Sequence, residues 1–232
     1  YWYLSKIAVA LGDIASAQGD LQAEGKARQQ AQEILMQAVA AAETNAQSHL
    51  NLLQIQVEGL QRSSSDPTAT QLKQIETAYL EVTDRFSSNA PAFAALSTFY
   101  WMCCYYMGPE LAEQNLDQAI QAAEKAAALD AENVDYAITW GQLSFRKASL
   151  FGHPDSAFKA ISIADRALAL PAAQDGSGPH AWANKANRLS IFSFLANCTI
   201  ECMLASREKD ASPPPEWLTQ AEEAVRQIGQ II

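Results

Sequence analysis

Histidine is scarce in this 232-residue chain, with three copies, and cysteine stops at four. Metal cages and nucleophile–base pairs draw on these residues, so their scarcity narrows the chemistry on offer. His49, His153 and His180 are scattered, and none has a Ser, Cys or carboxylate partner at a motif spacing. Cys103 and Cys104 are adjacent on a helical run and so point to different faces. Cys198 and Cys202 share a face, but no histidine or second cysteine pair stands nearby at zinc spacing. Both pairs lie in apolar helices, where a thiol packs as a small hydrophobe. That predicts reduced core cysteines, with a Cys198–Cys202 disulfide or a metal as the alternatives. No phosphate cradle is present: Gly176-Ser177-Gly178-Pro179 follows no strand, and Pro179 lacks a donor. Carboxylate pairs such as Glu222-Glu223 fall on polar helix surface. The expectation is a protein without catalytic residues, metal ligands or a bound cofactor.

Basic charge is also in short supply. Lys and Arg total 16 against 26 acidic residues, for a net charge of −10. Nucleic acids and anionic membrane surfaces both want a basic stripe, so neither is an expected partner. A basic peptide suits the balance better. Long hydrophobic runs are missing too. The longest, Ala90 to Met107, is interrupted by Ser97 and Thr98 and is short for a bilayer span. It predicts a fully buried central helix, with no membrane insertion. Alternating β-branched patterns are absent, which argues against strands. The chain opens on Tyr1-Trp2-Tyr3-Leu4, already inside an apolar helical pattern, and carries no basic-plus-apolar leader. It is expected to be a fragment of a larger protein, and its compartment is left open.

What the chain does have is alanine at a recurring spacing. Ala31-x3-Leu35-x2-Ala38 reappears as Ala119-x3-Ala123-x2-Ala126 and as Ala160-x3-Ala164-x2-Ala167. Small residues at that interval let helices approach closely, and a recurring helix pair is the mark of an α-solenoid. Punctuation predicts ten helices: 1–18, 21–42, 46–61, 68–87, 90–107, 110–129, 134–151, 155–170, about 180–207, and a last one after Ser212-Pro213-Pro214-Pro215. First helices beginning near Ala46, Ala90, Val134 and His180 are separated by 44, 44 and 46 residues. The short polar connections favour antiparallel neighbours. The predicted fold is an all-α superhelix of about five antiparallel pairs. They form one repeat domain over 1–232, with pairs at 1–45, 46–89, 90–133, 134–179 and 180–232.

These residues resemble the tetratricopeptide repeat (TPR) family. Its first helix carries Trp-x2-Leu-Gly-x2-Tyr and its second Ala-x3-Phe-x2-Ala. The third pair has Phe93, Leu96, Ser97 and Tyr100, then Ala119, Ala123, Ala126 and Leu129-Asp130. The fourth has Trp140-Gly141, then Ala160, Ala164, Ala167 and Leu170-Pro171. The fifth offers Ala221, Val225 and Ile228, while pair two puts Glu76, Leu80 and Thr83 at the triplet. The pairs run about ten residues longer than the family's unit.

The resemblance implies a non-catalytic scaffold whose first helices line a concave groove that binds a peptide or protein. The pattern places Gln54, Glu58, Thr98, Trp101, Met102, Asp135, Gln142, Arg146, Asn184 and Arg188 on that face. Arg146, Asn184 and Arg188 are candidates to hold a carboxylate or peptide backbone, since Arg presents a planar fork and Asn both donates and accepts. The aromatic run Phe99-Tyr100-Trp101 with Tyr105-Tyr106 is expected to be mostly core, with Trp101 or Tyr105 facing the groove. The alternatives are an accessory domain of a larger membrane-associated enzyme, such as a surface-glycopolymer polymerase or ligase, and a structural oligomerisation module. Apolar residues at both termini, Trp2-Tyr3 and Ile228 to Ile232, suggest missing neighbouring repeats or self-association through the ends.

Overall fold

In a computed structural model, residues 2–62, 66–173, 181–208 and 215–231 are described. They form ten α-helices and one 3₁₀ turn, with no strand among the described residues. The helices are α1 (Trp2–Ala17), α2 (Leu21–Ala41), α3 (Ala46–Gln61), α4 (Ala69–Arg85), α5 (Ala90–Tyr106), α6 (Pro109–Leu129), α7 (Val134–Phe151), α8 (Pro154–Leu168), α9 (Ala181–Glu208) and α10 (Pro215–Ile231). The chain divides into two compact units, Tyr1–Gly108 with α1 to α5 and Pro109–Ile232 with α6 to α10. The division falls at the turn of the expected third pair. The loop at Gly176 to Pro179, His180, and the segment Ser212 to Pro214 lie outside the described residues.

The repeat is written in the turns as well as in the alanines. Asn45, Asn89 and Asn133 each cap the helix that follows, with side chains accepting from the N–H of Gln47, Ala92 and both Asp135 and Tyr136. Each asparagine's own N–H donates three residues back, to Ala42, Phe86 and Asp130, at 2.9, 2.9 and 3.1 Å. The residue after each, Ala46, Ala90 or Val134, is buried. The same turn therefore recurs every 44 residues. An asparagine serves because its side-chain oxygen satisfies donors that the first helical turn leaves orphaned. Within pairs the reversal uses a left-handed residue: Gly152, at φ 72°, donates to the Ala148 carbonyl and ends α7.

In the first unit, α1 packs on α2 through its small residues Ser5, Ala8, Gly12 and Ala15, all buried. Asp13 joins three helices by pairing with Arg28 of α2, at 3.6 Å, and with Arg62 at the end of α3. The triplet Ala31, Leu35 and Ala38 is buried as its spacing predicts. In pair two the triplet is displaced by one residue. Ile75, Tyr79 and Val82 are buried, with Thr83, whereas Leu80 is exposed. The interval is the same as in the alanine copies, but the residues are large.

In the second unit, Ala119, Ala123 and Ala126 of α6 and Ala160, Ala164 and Ala167 of α8 are buried. The core of this unit joins α7 to α10 around Ile161, Ile191, Phe194 and Leu195. Full burial of a side chain such as Ile191 or Leu116 contributes about 1.5–3 kcal/mol. Gly141 sits where α7, α8 and α9 meet, beside Phe194 and Ile163. The fifth triplet needs correction: Ala221 and Ala224 are buried, while Val225 is 55% exposed. At the C-terminal end, Ile231 is buried and Ile228 packs against the core.

Candidate functional site

First helices of successive pairs lie side by side, α3 against α5 in the first unit and α7 against α9 in the second. Between α3 and α5 runs a groove of about 390 Å³. Its floor is apolar, built from Leu50 and Val57 of α3, Phe99 and Met102 of α5, and Tyr79 from α4. Tyr79 and Phe99 pack ring against ring at 5.2 Å. Burial pushes the Tyr79 hydroxyl up to about 12, so it stays a neutral phenol.

The rim is polar and almost uncharged. Gln47, Gln54 and Gln61 stand on one side with Glu58, and Thr98 on the other. Gln54 donates from Nε2 to Glu58 Oε1 at 2.9 Å, one turn along α3. Thr98 Oγ1 donates to the Ala94 carbonyl at 3.1 Å. Amides and hydroxyls both donate and accept, which matches an extended peptide's alternating N–H and C=O groups. An apolar floor with such a rim can hold a chain segment.

Four of the inward-facing positions, Gln54, Glu58, Thr98 and Met102, line this groove together. Trp101 and Tyr105 lie beyond its lining. They pack edge to face at 5.2 Å, Trp101 half-buried and Tyr105 70% exposed. Phe99 and Tyr100 are buried, and Tyr100 donates to Glu76 Oε1 at 3.0 Å. The central helix α5 is therefore buried along one face only, with Pro91, Thr98 and Tyr105 open.

In the second unit, Gln142 and Arg146 are exposed one turn apart on α7. Asn184 and Arg188 are half-buried on α9. The Arg188 guanidinium donates to Gln227 Oε1 of α10 at 3.3 Å and lies 5.8 Å from the Phe192 ring centroid. Asp135 borders an acidic hollow with Asp130 and Glu132. His153 precedes α8 without a side-chain cap bond; it is partly open to solvent, and its Nε2 meets Glu113 Oε1 at 2.7 Å.

Cys103 and Cys198 are buried, Cys104 is half-buried, and none of the three is in a disulfide. The Cys202 side chain lies outside the described residues. Burial raises the Cys103 thiol to about 12 and that of Cys104 to about 11. Among the described residues no group of three His, Cys, Asp or Glu side chains is placed to hold a metal. No helix among them is long and apolar enough to cross a membrane.

A second hollow, of about 600 Å³, was not foreseen from the sequence. It lies among α2, α3 and α4, ringed by Gln29, Gln32, Gln56, Gln71 and Gln74, with Gly25 and Gly59 leaving its walls low. Glutamines on the second helices, Gln29, Gln32, Gln71 and Gln74, were the available signal.

Paired helices, a 44-residue period and adjacent first helices define a TPR-like all-α repeat fold. Among solved structures, a crystal structure of MamA covers 95% of this chain and 95% of its own, with a TM-score of 0.50 and 14% identity. A thermophilic TPR protein of Thermus thermophilus covers 97% of this chain and 98% of its own, with a TM-score of 0.48 and 14% identity. At this identity the likeness is one of fold. No protein-family model and no curated protein matches the chain.

Proposed function

We propose that this chain is a non-catalytic protein-interaction scaffold that holds an extended segment of a protein partner in the groove between α3 and α5. The observation carrying this is the convergence of Gln54, Glu58, Thr98 and Met102 on one trough with an apolar floor. Small apolar side chains of the partner would fill the floor, and the rim would bond its backbone. Glu58 is the rim's one ionisable group, so neutral or basic segments are preferred over acidic ones.

Peptides selected from a random display library against the wild-type chain provide the test. Glu58→Arg and the pair Gln54→Ala with Thr98→Ala should each weaken the selected peptides about tenfold or more. Gln142→Ala, in the other unit, should leave them unchanged. Equal binding to all variants would sink the groove as the site. The exposed Arg146 on α7, beside α9, supports a second reading in which Gln142, Arg146, Asn184 and Arg188 grip a carboxylate. It requires that Arg146→Ala with Arg188→Ala, and not the groove variants, abolish binding of peptides with a free C-terminus.

A further inference from the structure

We propose that α1 pairs with α1 of a second copy of this chain, antiparallel about a two-fold axis, through Leu4, Ile7, Leu11 and Ile14. These four side chains are 56%, 57%, 53% and 55% exposed, the largest run of exposed aliphatic residues on any one helix among the described residues. Their spacing of three, four and three residues is the alternation of the inner positions of a coiled coil. In an antiparallel pair Leu4 meets Ile14 and Ile7 meets Leu11, so both layers repeat identically across the axis. The face is thus complementary to itself, which a closed two-fold contact requires.

Charge selects the occupant. The two charged residues of α1 are Lys6 and Asp13, and both project from the opposite side of the helix. Tyr3, Ala10 and Ala17 flank the stripe, so a broad sector of the helix carries no charge at all. On a molecule with net charge −10, an uncharged face lets two copies meet without like charges opposed at the contact. An anionic membrane finds no basic residue on that sector to attract it. The exposed apolar residues of α10 do not offer the same match: Leu218 and Val225 are separated by the exposed Glu222. The small seam Ser5, Ala8, Gly12 and Ala15 is already taken by α2, leaving the large one outward. This surface is distinct from the α3–α5 groove and does not depend on its reading.

Sedimentation equilibrium on the whole chain, up to about 500 μM, tests the pairing. The apparent mass should climb from 25.2 kDa toward twice that value, and added salt should not reverse it. Ile7→Glu with Leu11→Glu should weaken association more than about thirtyfold while leaving the thermal melt at dilute, monomeric concentrations unchanged, because both sites are solvent-facing in the single chain. Val225→Glu on α10 should associate like wild type. For register, an oxidised mixture of Ile7→Cys and Leu11→Cys chains should form the mixed disulfide in preference to either homodimer. A strict monomer, which would give the face to some other occupant, overturns the proposal. So does a dimer indifferent to the double glutamate variant, or Ile7→Cys cross-linking to itself as readily as to Leu11→Cys.

Discussion

Replacing Gly141 by alanine should destabilise the second unit, although alanine is the better helix former. A Cβ at this position would stand 2.8 Å from Phe194 Cε1, 3.2 Å from its Cζ and 3.4 Å from Ile163 Cγ2. The Phe194 ring is 8% exposed and is held edge-on by Phe145 at 6.4 Å, so it has little room to swing aside. Overpacking of this kind costs about 1–3 kcal/mol. The gain in helix propensity is about 1 kcal/mol. The net expectation is a loss of about 1 kcal/mol, or a fall of about 2–4 °C in melting temperature for a chain of this length. Gly229 in α10 is the control: a Cβ there meets nothing within 4 Å, so Gly229→Ala should stabilise by about 0.5 kcal/mol. Urea unfolding followed by far-UV circular dichroism reads both variants. Phe194→Leu should recover part of the loss in a double-mutant cycle. A Gly141→Ala chain as stable as wild type would refute the close approach of α7 and α9.

The recurring caps make a second prediction. Asn89→Ala and Asn133→Ala should each cost about 1 kcal/mol in urea unfolding, and Asp or Ser at either position should restore most of it. pH makes a third. Burial holds Cys103 at about 12, Cys104 at about 11 and Tyr79 at about 12, and it also raises Tyr100, with the Glu76 bond adding to the effect. The unfolded chain loses these protons from about pH 9 upward while the folded chain keeps them, so stability is full below pH 9 and falls progressively toward pH 12. Urea midpoints taken across that range should decline, less steeply for Cys103→Ala with Tyr100→Phe. Native-state alkylation of Cys103 at pH 8 should be far slower than alkylation of the unfolded chain, and rapid labelling would refute its burial.

Much of the fold was legible because two independent periods agree. The alanine triplets placed α2, α6 and α8, and the punctuation placed helix starts at Ala46, Ala90 and Val134 to the residue. The asparagine ahead of each start was an overlooked signal of equal regularity. Where the reading slipped, the cause is a helical interval that tolerates a shift of one. Glu76-Leu80-Thr83 and Ile75-Tyr79-Val82 have the same spacing, and only packing decides which turns inward. Likewise Val225 yielded to Ala224 because a smaller residue fits the close contact with α9. Three rim residues, Gln54, Glu58 and Thr98, were among the positions that helix phase placed inward, whereas Gln47 and Gln61 were not. Of the floor only Met102 was foreseen, and Tyr79 was not, because it arrives from a second helix whose inward register differs by one residue from the expected one.

That misregistered helix explains why a trough exists between α3 and α5. Alanine seams bring helices together until little space is left between them, as along α6 and α8. In pair two the corresponding positions are Ile75, Tyr79 and Val82, so α4 contributes bulk where its counterparts contribute closeness. The Tyr79 ring reaches the space between α3 and α5, stacks on Phe99 and paves the floor. An alanine there would leave a cavity beneath the groove and remove the apolar surface on which a partner's side chains would rest. On the proposed reading, the departure from the small-residue rule in one pair supplies the floor of the groove that would receive a partner. Local rules tend to fail at positions that serve function, and here the failure and the groove share a residue.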